Sequence, residues 1–161
     1  MSVTDDLELA GPMKLRLFVE LEGCNDAHLF VAVRKIKDGR HIVFEGTAGF
    51  GYDVVTKGWA RVALRRLDPE RSEPHRPVLP FDREEFLAVG EIVPIDIELL
   101  PSATLFRRGE TLRLDVQGHW FWRRSLLFGT FPGDYASSSA GTVVLHTGAK
   151  HPAHLLVPRA N

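Results

Sequence analysis

The side chains best suited to nucleophilic or metal chemistry in this 161-residue chain are seven histidines, one cysteine and a serine run at Ser137–Ser139. A serine hydrolase of the α/β type carries its nucleophile on a strained strand-to-helix elbow, Gly-x-Ser-x-Gly. That pattern does not occur, and Ser137-Ser138-Ser139, between Tyr135 and Gly141, reads as a loop. Cys24 stands in Gly23-Cys24-Asn25-Asp26, a turn signal, with no histidine assignable as its base. Zinc requires three or four converging ligands. His151 and His154 match neither the i, i+4 spacing of one helix face nor the i, i+2 spacing of one strand face. With His146 they read as strand-end and loop polar groups. No Asp-x-Asp-x-Asp loop offers a calcium site. The expectation is no catalytic, cofactor or metal site in this chain.

Binding chemistry is more visible. His119-Trp120-Phe121-Trp122 is followed by Arg123-Arg124, and then by Ser125-Leu126-Leu127-Phe128-Gly129. Strand alternation would put Trp120 and Trp122 on one face and His119, Phe121 and Arg123 on the other. Aromatic rings on an open face stack on sugars or on a partner's apolar surface, and the same rings fill a core if they point inward. Both readings stand at this level. The candidate interface or ligand residues are Trp120, Phe121, Trp122, Leu126 and Phe128.

The elements that must position these residues are strands. Leu15, Leu17, Val19 and Leu21 alternate with polar neighbours; so do Leu29, Val31 and Val33, then Val93, Ile95, Ile97 and Leu99, then Leu112, Leu114 and Val116. Ile42 with Phe44, Thr142–His146 and His154–Val157 add shorter sets, and turn signals separate them at Lys37-Asp38-Gly39, Arg107–Glu110 and His146-Thr147-Gly148. Many short strands without βα alternation predict an all-β antiparallel sandwich. Pro94, inside a good strand pattern, predicts an edge or a bulge. Trp59–Leu67 is ambiguous between helix and strand, and Asp82-Arg83-Glu84-Glu85 has capping-box spacing for a helical turn ending by Gly90. The segment from Asp68 to Pro80, with four prolines, must be an extended loop.

Length fits one domain, residues 1–161, with one core. Hydrophobic residues at 44% and charged residues at 25% are ordinary for a globular protein. A net charge of -1 provides no field for nucleic acid or an anionic membrane. The pairs Arg65–Arg66, Arg107–Arg108 and Arg123–Arg124 read as solvated faces or carboxylate clamps. With one cysteine, no signal sequence and no apolar run long enough to span a bilayer, a cytoplasmic location is expected.

Four stretches in order resemble a known family. They are Asp5–Pro12 leading into Lys14–Val19; Gly58-Trp59-Ala60-Arg61 running to Leu67-Asp68-Pro69; Ile95–Gly109 with Leu112–Asp115; and His146-Thr147-Gly148 with His154–Pro158. Together they resemble the C-terminal β-domain of the Xaa-Pro dipeptidyl-peptidase and cocaine-esterase (CocE/NonD) family of serine hydrolases. The resemblance implies a jelly-roll sandwich of galactose-binding-like type, and Trp59–Leu67 as strand. It also implies an α/β-hydrolase domain bearing the Ser, Asp and His, against which this domain packs near the active-site mouth. None of that triad maps onto this chain. The expected function is a non-catalytic accessory domain, shaping substrate access and making contacts with a hydrolase domain in cis or trans, or with a second copy. The alternative is a carbohydrate-binding module on the same scaffold.

Overall fold

The computed structural model describes residues 1–45, 52–121 and 141–160. The serine run and three of the candidate residues, Trp122, Leu126 and Phe128, lie outside the described residues.

Two antiparallel sheets face each other. One is centred on β1 (Leu7–Glu22), flanked on one side by β7 (Val93–Phe106) and on the other by β10 (His154–Leu156) and β9 (Thr142–His146) in succession. The other is centred on β2 (His28–Lys37), flanked by β6 (Thr56–Arg61) with β3 (Arg40–Ile42), and by β8 (Thr111–Gln117). A small hairpin of β4 (Phe44–Glu45) and β5 (Tyr52–Asp53) stands apart. The chain crosses between sheets from β1 to β2, β6 to β7, β7 to β8 and β8 to β9, the alternation that builds a jelly-roll sandwich. The expected all-β sandwich is what the chain forms.

The core follows from period-two alternation. Leu15, Leu17, Val19 and Leu21 of β1 and Val93, Ile95, Ile97 and Leu99 of β7 point at Leu29, Val31 and Val33 of β2, and all are buried. Pairing between β1 and β7 slips once, where Gly11 opposes Ser102 but Met13 opposes Leu99. The extra residue at Leu100–Pro101 inverts the parity of β7, so Phe106 is fully buried although it lies an odd number of residues from Leu99. Among the described residues β7 is an edge strand, one of the two outcomes, edge or bulge, that Pro94 predicted.

The sandwich closes where β6 crosses β7. A Cβ on Gly58 would lie 2.1 Å from the Glu98 carbonyl oxygen and 3.2 Å from the Leu99 Cα, so only glycine permits this approach. Beside it the Thr56 hydroxyl donates to the Leu100 carbonyl.

Two sequence expectations are corrected. Trp59–Leu67 is strand only through Arg61; Val62–Leu64 form a 3-10 turn in which Val62 and Ala63 are buried. The capping-box segment at Asp82–Glu85 forms no helix. Its acids are drawn to arginines: Asp82 pairs with Arg66, Glu84 with Arg61 and Glu85 with Arg65. These ion pairs, with the Glu85 N–H donating to the Ala63 carbonyl, hold the segment against the 3-10 turn instead of letting it coil into a turn of its own. Arg65–Arg66 is therefore a carboxylate clamp within the chain.

Candidate interaction face

The outer face of the β2 sheet carries an aromatic cluster. Register places Phe30 of β2 directly opposite Trp59 of β6, with side chains on the face away from the core. β8 ends at Gln117, and the following turn delivers Trp120 to both rings. Trp120 meets Phe30 edge-on at 5.8 Å between centroids and Trp59 at 5.9 Å, and Phe121 lies tilted against it at 5.8 Å. These are favourable aromatic geometries. The Arg34 guanidinium sits 5.7 Å from the centre of the Phe121 ring, within cation–π range.

Charges frame the cluster. Arg34 Nε donates to Asp115 Oδ2 at 2.6 Å, and Arg113 Nε donates to Asp115 Oδ1 at 2.6 Å. Asp115 thus holds two arginines on the polar face of β8. At the far end of β6, Arg61 Nε donates to Asp26 Oδ2 at 2.5 Å, and the same guanidinium reaches Glu84. Asp26 Oδ1 also accepts from the Ala63 backbone N–H at 2.9 Å, which fixes the 3-10 turn to the start of β2.

Of the five candidate residues, the structure brings together Trp120 and Phe121, both half-buried and on the same face rather than opposite faces. Alternation fails there because the strand stops before His119. Neither ring belongs to the core between the sheets. Sequence reasoning missed Phe30 and Trp59 as members. Trp59 is 56% exposed, and the available signal was its position opposite a β2 residue of outward parity.

The remaining polar groups are structural in their contacts. His146 Nε2 lies 2.8 Å from Glu20 Oε2, and its ring is 5.3 Å from that of His151, which packs on Phe18. His154 Nδ1 turns to the Pro152 carbonyl at 2.8 Å. Among the described residues, no three His, Cys, Asp or Glu side chains converge as a metal site. Cys24 packs against the core beside Gly141, where any Cβ would strike its Sγ.

A concavity of about 380 Å³ lies on the β1–β7 side, lined by Arg16, Arg65, Arg66, Glu85, Pro94 and Asp96 among others. Its charges are paired within the chain. Asp96, 4% exposed, accepts from Arg16 Nε at 2.7 Å and Nη2 at 2.5 Å, with Lys14 Nζ at 3.5 Å. Burial pushes the Asp96 carboxyl up, but the hydrogen bond from Arg16 and the charges of Arg16 and Lys14 outweigh it and hold the carboxyl below its usual range. Among the described residues, the outer face of the β2 sheet assembles stacking rings and guanidinium groups, a chemistry suited to contact.

Residues 1–156 match the family described as the X-Pro dipeptidyl-peptidase C-terminal non-catalytic domain. Among solved structures, a CocE/NonD family hydrolase from Staphylococcus aureus is 32% identical with a TM-score of 0.87, covering 99% of this chain and 30% of that one. An α-amino acid ester hydrolase, covering 99% of this chain and 24% of that chain, is 17% identical at TM-score 0.65. An aminopeptidase from a marine sediment Thaumarchaeota archaeon, with 100% and 25% covered, has the same identity and TM-score. These last two share the fold. No curated protein matches the chain significantly. The chain spans about a third or less of the length of the structures it resembles, and the match over residues 1–156 makes it a member of the X-Pro dipeptidyl-peptidase C-terminal non-catalytic domain family.

Proposed function

We infer that this single domain, residues 1–161, serves as the accessory β-sandwich of a serine hydrolase of the Xaa-Pro dipeptidyl-peptidase or acyl-esterase kind. It works with an α/β-hydrolase domain, in cis or trans, shaping access to that domain's active site. The observation that carries this reading is the match of residues 1–156 to a non-catalytic domain that fills only 30% of the S. aureus hydrolase chain. The outer aromatic face supports it, since half-buried rings rimmed by guanidinium groups suit a protein surface. Of the original five candidates, Trp120 and Phe121 are its members here, joined by Trp59 and by Arg34 at the rim.

The test is chemical. The purified chain is expected to leave aryl esters and Xaa-Pro anilides intact and to take no fluorophosphonate label, whereas the hydrolase it accompanies takes one. Stoichiometric labelling of a serine in the folded chain would overturn the reading. The carbohydrate-binding alternative draws on one observation, the exposed Trp59 indole set against Trp120. Oligosaccharide binding in titration calorimetry, lost in Trp59→Ala, would favour it.

A further inference from the structure

Between Phe81 and Val89 the chain has no regular secondary structure, yet it is fastened residue by residue. Asp82 is held by Arg66, Glu84 by Arg61, and Glu85 by Arg65 and Arg83. Its backbone is tied down as well. Glu85 N–H donates to the Ala63 carbonyl at 2.7 Å, Leu87 N–H to the Asn25 carbonyl at 3.0 Å, and Ala88 N–H to Glu91 Oε2 at 2.9 Å. Leu87 is buried in the core. Beside and between these fastenings, three large apolar residues are left exposed. Phe81 is 66% exposed, Phe86 is 50% exposed, and Val89 is fully exposed. Phe81 also holds φ at 53°, an unfavourable state for a residue with a Cβ, and such outliers concentrate at functional contacts.

We propose that Phe81, Phe86 and Val89 form a pre-organised docking element for the α/β-hydrolase domain, a placement that rests on the accessory-domain reading above. An ordered segment forfeits little conformational entropy on docking, and exposed aromatic anchors supply its contact area. The size of the patch selects the occupant. Three such side chains offer about 400 Å². Two copies meeting through it would bury about 800 Å², the scale of incidental contacts rather than of a stable dimer. A domain tethered in the same chain, or held by a larger surrounding surface, needs no more than such an apolar centre, because the tether raises its effective concentration to about millimolar. The fastening carboxylates are paired within the chain, and the exposed rings beside them call for an apolar patch at the centre of the partner surface.

The test places a photoreactive benzoylphenylalanine at Phe81, Phe86, Trp59 or Phe121, one at a time, in the full chain made in its native cells. Cross-linked peptides are then identified by mass spectrometry. Probes at Phe81 and Phe86 are expected to capture peptides of a polypeptide bearing Gly-x-Ser-x-Gly, within the same chain or in a second one. With a probe at Val89, the double variant Phe81→Ser, Phe86→Ser should lower that capture about tenfold. An unchanged thermal midpoint in each probe-bearing chain confirms that the fold is kept. Capture of the hydrolase from Trp59 and Phe121 alone would overturn the docking element and leave the accessory role standing. Capture of a second copy from Phe81 and Phe86 would overturn the choice of occupant. No hydrolase peptide from any of the four positions would overturn both.

Discussion

Replacing Gly58 by alanine isolates the crossing of β6 over β7. The new methyl would sit 2.1 Å from the Glu98 carbonyl oxygen, over 1 Å inside an ordinary contact, and the clashing atom is backbone. A rotamer change cannot relieve it, so the two strands must part. Overpacking of this kind costs about 1–3 kcal/mol, and parting the strands also strains the neighbouring bond from Thr56 to Leu100, worth about 1 kcal/mol. The expected loss is therefore about 3 kcal/mol. At a urea m-value of about 2 kcal/mol per molar, the unfolding midpoint falls by about 1.5 M. Gly118 provides the control. It is not in the left-handed region, and a Cβ there would come no nearer than 3.9 Å to the His28 carbonyl oxygen. Gly118→Ala should leave the midpoint within about 0.3 M of the parent or raise it slightly. Equal midpoints for the two variants would refute the close approach and the account of how the sandwich closes.

The carboxyl of Asp96 is held below its usual range, so the unfolded chain binds its proton first as the pH falls. Its contribution is therefore full at neutral pH and lost on acidification through the folded-state value. Urea midpoints from pH 7 to 3 should fall more steeply in the parent than in Asp96→Asn, and parallel curves would contradict this. Asp115→Ala strands Arg34 and Arg113 and should cost about 1–2 kcal/mol, so an unchanged urea midpoint would place those ion pairs among the energetically silent ones. Self-association of the isolated chain through the aromatic face would show in sedimentation velocity as a coefficient rising from about micromolar to hundred-micromolar concentration. Trp59→Ser should flatten that rise, and a single monomeric species in the parent throughout would remove the face as a self-contact.

Much of the architecture was legible because the alternation in β1, β2, β7 and β8 is local information: each strand states its own inward face. Pro94 declared its edge in the same way. What the sequence could not show depends on pairing across distance. The Asp82–Glu85 segment has the local grammar of a helix start, but the groups that hold it otherwise are remote in sequence: the arginines at positions 61, 65 and 66 and the Ala63 carbonyl that accepts from the Glu85 N–H. The end of β8 before His119 is likewise set by tertiary context, which is why alternation placed Trp120 and Phe121 on opposite faces. The aromatic run was recognisable as a candidate, while its partners Phe30 and Trp59 became visible only through the register of β2 with β6. Asp96 looked like any outward polar residue of an alternating strand, and nothing local reveals the buried Lys14 and the Arg16 fork that neutralise it.

The β7 edge has a consequence for what happens when this domain stands in crowded solution. A strand of 14 residues to which, among the described residues, no further strand is paired on its outer side is ordinarily an invitation to intermolecular pairing and, from there, to fibrils. Here Pro94 and Pro101 have no N–H to offer an incoming strand, the slip opposite Gly11 breaks any continuous ladder, and the Leu100 carbonyl is already engaged by Thr56. An approaching β-strand would find no long run of unbroken donors and acceptors. The features that set the inward parity of Phe106 thus also deny the longest edge of the sandwich as a template for aggregation.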